Sequence, residues 1–205
     1  MDIDELMRRL FEFYPDGCTV DVREPFFALI STVMSHRTRD DVTYPAAEKL
    51  FERFSTPEEM SEADVEDIET LIKDVGFYRV KAGRIKEISR ILLQEYNGMV
   101  PDEMETLLKL PGVGRKTANC VLAHAFLKED ALAVDTHVHR ISNRLGLVVT
   151  KNPEETEIEL KKVLPQKYWR HVNILLVKFG QNVCRPVAPR CEICVLSDIC
   201  PKILL

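Results

Sequence analysis

Leu107-Leu108-Lys109-Leu110-Pro111-Gly112-Val113-Gly114-Arg115-Lys116-Thr117-Ala118-Asn119 joins two helical stretches through a very short loop. Pro111 stops the first stretch, while Gly112 and Gly114 permit positive φ and strip Cβ atoms from the loop surface. The backbone N–H groups at the start of the second helix then form a small anion-binding nest, and the helix dipole favours negative charge there. A phosphate diester fits it. The bland alternative is a helical hairpin whose glycines serve tightness alone. Arg115 and Lys116 directly behind the glycines favour the anion-binding reading.

Outward from this hairpin the apolar period is helical nearly everywhere. Ile3, Leu6, Met7, Leu10, Phe11 and Tyr14 make the stripe of an amphipathic helix. Thr56-Pro57-Glu58-Glu59 reads as a helix start, with a hydroxyl at the N-cap, Pro at N1 and acids in the first turn. Val65, Ile68, Leu71, Ile72 and Val75 continue until Gly76, which the pattern assigns as the left-handed residue ending that helix. Ala82, Ile85, Ile88, Leu92 and Tyr96 follow, stopped by Asn97-Gly98. No segment alternates with period two, so the expectation is an all-α protein of about ten helices.

The chain has 205 residues, enough for one large or two small domains with buried cores, and 45% hydrophobic with 30% charged residues is ordinary globular composition. The N-terminus lacks a signal peptide's basic and apolar regions, and no apolar run is long enough to span a bilayer, so a cytoplasmic protein is expected. Net charge is −5, but residues 131–205 hold 11 Lys/Arg against 7 Asp/Glu, and the excess acid lies before them. Nine carboxylates between Glu52 and Asp74 read as a solvated face turned away from any polyanion.

Cys184, Cys191, Cys194 and Cys200 stand six, two and five residues apart. Four soft ligands in so short a stretch can close around an iron–sulfur cluster or a zinc ion, or pair as disulfides. The spacing departs from the paired C-x2-C of zinc ribbons and favours the cluster. Cys18 and Cys120 stand among apolar or small neighbours and read as reduced core thiols.

Four blocks in order make the chain resemble the helix-hairpin-helix DNA glycosylases, specifically the endonuclease III family: S-H-R-T-R-D at 35–40, G-F-Y-R-V-K-A at 76–82, L-P-G-V-G-R-K-T-A-N at 110–119 with V-D-T-H-V-H-R at 134–140, and the four cysteines. The resemblance covers almost the whole chain. It implies two helical domains flanking a DNA-binding cleft. Residues 23–132 would form a six-helix domain with the hairpin at about 104–125. Residues 1–22 with 133–205 would form a discontinuous domain whose loop 184–200 holds a [4Fe-4S] cluster. The implied partner is duplex DNA containing damaged bases or abasic sites, met by a monomer without membrane contact.

The implied activity is a bifunctional glycosylase and abasic-site lyase that removes oxidised pyrimidines such as thymine glycol. By resemblance Lys116 is the Schiff-base nucleophile; alone, a lysine there reads as a phosphate clamp. Asp135 is the carboxylate that supports base departure, and as Asp before a helical run it also suits an N-cap. His137 and His139 default to structural or substrate-orienting roles. Such an enzyme flips its target nucleotide and fills the hole. Arg37 stands where the family usually has glutamine, and Phe77 where a leucine wedge is familiar; a core aromatic is the alternative for Phe77. Arg79, Lys81, Arg84 and Lys86 could track the DNA backbone, with a solvated helix face an equal alternative for Arg84 and Lys86, and Arg185 and Arg190 would face it from the cysteine loop. The rival is a monofunctional adenine- or thymine-mismatch glycosylase. Those relatives generally lack the lysine, and the adenine enzymes carry a further C-terminal domain, whereas this chain ends five residues after Cys200. A non-catalytic hairpin DNA-binding module is the remaining alternative, against which Lys116 and Asp135 together argue.

Overall fold

The computed structural model describes residues 1–15 and 22–203, which contain eleven α-helices and no strand. The all-α expectation holds. Cys18 lies outside the described residues. The chain divides into two compact units, Val22–Leu127 and Met1–Asp21 with Lys128–Leu205.

In the unit Val22–Leu127, α2 (Pro25–Met34) carries no charged side chain and is buried on most of its surface, so it occupies the centre. It packs against α3 (Asp40–Arg53), α6 (Tyr78–Tyr96) and α8 (Arg115–His124). The longer α6 also covers α4 (Pro57–Glu62) and α5 (Val65–Leu71), and the short α7 (Met104–Leu107) packs on α8. Thr56 starts α4 as expected, through a full capping box with Glu59. Asn97 in the left-handed region stops α6, and the Gly98 N–H reaches back to Leu92 O at 2.9 Å.

One sequence expectation fails here. Gly76 does not take the left-handed conformation after α5; Phe77 does, with φ 58°. Gly76 is required for proximity instead. A Cβ there would lie 3.1 Å from Arg37 O and 3.2 Å from Thr38 Oγ1, so the glycine lets the loop after α2 close on the start of α6.

In the other unit, α1 (Ile3–Phe13) brings Leu6, Met7 and Leu10 into one core with α9 (Thr136–Arg144), α10 (Pro153–Val163) and α11 (Trp169–Asn182). Asp2 caps α1 and Asn152 caps α10. Val138, Ile141, Leu175, Leu176 and Phe179 fill the space between α9 and α11. Each such side chain contributes roughly 1.5–3 kcal/mol by leaving water. Leu196 and the half-buried Cys184, Cys194 and Cys200 lie against this same core, so the cysteine segment is seated on packed helices.

Gly180 decides how closely α9 and α11 approach. A Cβ there would press into His137 Nδ1 and lie 2.8 Å from Arg140 Nη2. Gly180→Ala would gain about 1 kcal/mol of helix propensity, against an overpacking cost of about 1–3 kcal/mol. The expected outcome is a lower melting temperature in thermal denaturation; an unchanged or raised one would show that His137 and Arg140 can yield without cost.

Candidate functional site

Gly112 in the hairpin adopts φ +78°, as a tight turn demands, and an added Cβ would sit 2.9 Å from Arg84 Cδ. Gly114 is different. Its φ is −102° and a Cβ there would meet nothing within 4 Å, so neither strain nor crowding requires glycine. Gly114 is exposed and is the N-cap of α8, without a side-chain cap bond. The first N–H groups of α8 therefore lack a capping side chain, and a bare Gly114 leaves room for an outside acceptor to approach them. Arg115 beside it is exposed, and Lys116 is half-buried in the first turn.

The loop 35–39 and the start of α6 meet in this same unit. Arg37 and Phe77 both occupy the left-handed region, at φ 54° and 58°. Phe77 is 61% exposed, which removes the core-aromatic reading. The Arg37 guanidinium lies 5.6 Å from the centre of the Phe77 ring, a cation–π approach. Beneath them is Lys81, whose side chain is not on the surface at all: the residue is 3% exposed. Its ammonium donates to Met34 O at 2.6 Å, His36 O at 2.5 Å and Thr38 Oγ1 at 3.1 Å. Burial pushes its pKa down to about 8, with a smaller contribution from the charge of Arg84. His36 Nε2 bonds Thr117 Oγ1 at 2.8 Å, tying the loop to α8 one residue after Lys116. Burial lowers the pKa of His36, and Lys116, Lys81 and Arg84 lower it further.

Two of the four cations expected to track DNA are thus corrected. Lys81 is buried, and Lys86 donates its ammonium to Ala63 O at 2.7 Å inside the unit. Arg79 and Arg84 remain exposed. The signal for Lys81 was present in the sequence: positions 81, 85, 88 and 92 keep the spacing of the apolar stripe of α6.

In the other unit Asp135 is the N-cap of α9. Its Oδ1 accepts from the N–H groups of His137 at 2.9 Å and Val138 at 2.8 Å. The second oxygen makes no hydrogen bond among the described residues, so the cap orients a half-buried carboxylate without using both its oxygens. His137 Nδ1 faces Arg140 Nη2 at 3.1 Å. Because guanidinium only donates, this nitrogen accepts and the ring proton sits on Nε2. His139 Nδ1 bonds Thr156 Oγ1 at 2.6 Å, within a group that includes Thr150 and Asn143. Both histidines therefore have structural partners.

Cys184, Cys191, Cys194 and Cys200 are unpaired thiols that line one cavity of ≈ 40 Å³, so the disulfide alternative does not hold. No group of three or more His, Cys, Asp or Glu among the described residues is arranged to hold a metal ion. All four cysteines line that one cavity, a soft donor set of the kind that suits iron–sulfur ligation. Burial raises the Cys194 thiol pKa, and the other three cysteines add to the rise. Sequence reading missed the arginines that hold this loop. Arg144, 6% exposed, donates to Cys184 Sγ at 3.5 Å, Arg185 O at 2.6 Å and Pro186 O at 2.8 Å. Arg140 donates to Cys184 O at 2.9 Å. Arg185 and Arg190 are exposed on the loop, and Arg190 lies 3.8 Å from Glu192. Cys120 is buried in the Val22–Leu127 unit.

Residues 30–166 match the HhH-GPD superfamily of base excision DNA repair proteins. The chain is 55% identical to the endonuclease III of Thermotoga maritima, over 97% of this chain and 92% of that protein. A solved non-covalent endonuclease III–DNA complex has a similar fold, with a TM-score of 0.89 at 36% identity, covering 98% of this chain and 94% of that one. A trapped endonuclease III–DNA covalent intermediate gives a TM-score of 0.87 at 35% identity, covering 98% and 97%. With the glycine hairpin, the thiol-lined cavity and these likenesses together, the chain belongs to the HhH-GPD superfamily and, within it, to the endonuclease III family.

Proposed function

We propose that this protein is a bifunctional DNA glycosylase and abasic-site lyase acting on oxidised pyrimidines in duplex DNA. The observation that carries the reading is Lys116 in the first turn of α8, directly behind a glycine hairpin whose N–H groups suit a phosphate. A phosphate held there would bring the sugar of a flipped nucleotide within reach of a lysine on the same turn. The uncharged amine of Lys116 attacks C1′, the N-glycosidic bond breaks, and the base leaves with a proton. The sugar ring opens to an imine on the lysine nitrogen. The imine makes the C2′ protons acidic, so loss of one expels the 3′ phosphate and cuts the strand. Water then returns the lysine.

Asp135 supports departure of the base. Developing positive charge at the sugar is stabilised by a carboxylate whose direction is already set, and the α9 cap sets it. Gly112, Gly114 and Arg115 hold the backbone at the hairpin. Arg37 and Phe77 fill the duplex where the base has left, and Arg185 and Arg190 contact phosphates from the cysteine loop. Lys116 argues against a monofunctional mismatch glycosylase, which needs no amine at that position.

The four thiols are the ligands of a [4Fe-4S] cluster. Their number, their common cavity and the N–H of Lys202 donating to Cys200 Sγ at 3.3 Å suit thiolate sulfurs bound to iron. When bound, the cluster supplies a rigid four-point anchor for the loop that carries Arg185 and Arg190. We place the protein in the cytoplasm, on nucleoid DNA, where thiols stay reduced.

Borohydride trapping on a duplex containing one thymine glycol tests the chemistry. A covalent adduct is expected from the wild type and none from Lys116→Ala, with duplex affinity changed by less than about tenfold because removing one phosphate-side cation costs little beyond its own contact. An adduct with an abasic site but not with thymine glycol would keep the lyase and discard the substrate. Equal cutting by Lys116→Ala would remove the lysine from its role. For the cluster, anaerobically prepared protein should contain iron and sulfide, and Cys194→Ser should lose both the visible absorbance and thermal stability. Zinc without iron would overturn that assignment.

A further inference from the structure

We propose that Lys81 is a positioning residue for duplex opening: its buried ammonium locks the loop that carries Arg37 to the turn that carries Phe77. This rests on the reading of those two side chains as the ones that enter the duplex. Lys81 touches neither DNA nor the reacting atoms.

An ammonium taken out of water is expensive unless every proton finds an acceptor. Lys81 offers three donors and meets Met34 O, His36 O and Thr38 Oγ1. Two of these are carbonyls at and just beyond the end of α2, where helix carbonyls lack intrahelical partners and the dipole is negative. A methionine would fill the same space without that cost, so packing alone does not explain a lysine here.

What the bonds accomplish is local. The Thr38 hydroxyl accepts from Lys81 Nζ and from the Gly76 N–H, both at 3.1 Å, while it donates to His36 O at 3.3 Å. One oxygen thus joins the segment before Phe77 to the segment after Arg37. Gly76 permits the approach, since any Cβ would crowd Arg37 O and Thr38 Oγ1. On either side of this junction stands a non-glycine residue in the left-handed region, Arg37 and Phe77. Such a conformation is strained for a residue with a side chain and persists only where the surroundings over-determine it. Lys81 and Thr38 are those surroundings. His36, whose carbonyl Lys81 holds, extends the same node to Thr117 on α8. The outcome is an exposed aromatic and a guanidinium fixed side by side on rigid supports, as insertion between base pairs requires.

The test uses the full-length protein with Lys116→Ala as background, so that the duplex stays uncut. A duplex carries thymine glycol opposite 2-aminopurine, whose fluorescence rises when it leaves the stack. The background protein should give a clear rise. Adding Lys81→Met should reduce the opening rate about 10- to 100-fold, the penalty expected when supports are displaced by about 1 Å. Thr38→Val, which removes only the shared hydroxyl, should act in the same direction and decides the matter if Lys81→Met does not fold. Both variants, in protein that retains Lys116, should still give a borohydride adduct on a single-stranded abasic oligonucleotide, where there is no duplex to open. Unchanged fluorescence kinetics in a folded variant, equal loss on the single strand, or no rise with the background protein would each overturn the proposal. Failure of the wild type to trap at all would instead count against the lyase chemistry, because the fluorescence does not depend on it.

Discussion

A charge withdrawn from water must be met by fixed acceptors, and around Lys81 that requirement organises the face of the Val22–Leu127 unit that carries the hairpin. Helix α2 ends with carbonyls that need donors; α6 starts without a side-chain cap and with its first residue's neighbour strained. A single ammonium answers the first need and, through Thr38, restrains the second. Because His36 lies between those acceptors and also bonds Thr117, the start of α8 is held by the same node. The loop after α2, the start of α6 and the first turn of α8 thus share one polar junction within an apolar core.

The other unit relies on a related device with guanidinium groups. Arg140 and Arg144 project from successive turns of α9 and donate to the carbonyls of 180 and 184–186, and Arg144 also reaches Cys184 Sγ. Planar guanidinium carries its donors in a rigid fork, so each arginine spreads over several carbonyls of the loop. Gly180 is the counterpart of Gly76: in both places a missing Cβ allows a close approach that polar bonds then hold. The six-residue interval between Cys184 and Cys191 is consequently ordered by α9 from one end and by the thiols around their cavity.

Asp135 shows how a helix cap can hold a carboxylate ready for the role we propose for it. The cap uses one oxygen for two N–H groups of α9 and so fixes the plane of the carboxylate. That restraint removes rotamer freedom before any substrate arrives, which is preorganisation in the ordinary electrostatic sense. The neighbouring histidines are committed elsewhere, His137 to Arg140 and His139 to Thr156, which leaves the aspartate as the acidic group of that segment.

Much was legible in the sequence because it depends on short-range rules. The helical class followed from apolar spacing, the start of α4 from Thr56 with Glu59, and the hairpin turn from Gly112, whose φ no other residue adopts cheaply. The four cysteines pointed by number and spacing to one place, and they line one cavity; the roles we propose for Lys116 and Asp135 rest on the family blocks. What failed is instructive. Gly76 was assigned a left-handed φ because a glycine after an apolar run commonly has one, yet it serves a close approach to a segment 38 residues earlier, at Thr38. Lys81 and Lys86 were read as surface cations because charge usually seeks water, and only the acceptors folded around them reverse that preference. Local conformation is set by neighbours in the chain and is written in composition and period. Which carbonyl meets which cation is set by segments distant in the chain, and that becomes definite only once the helices have packed.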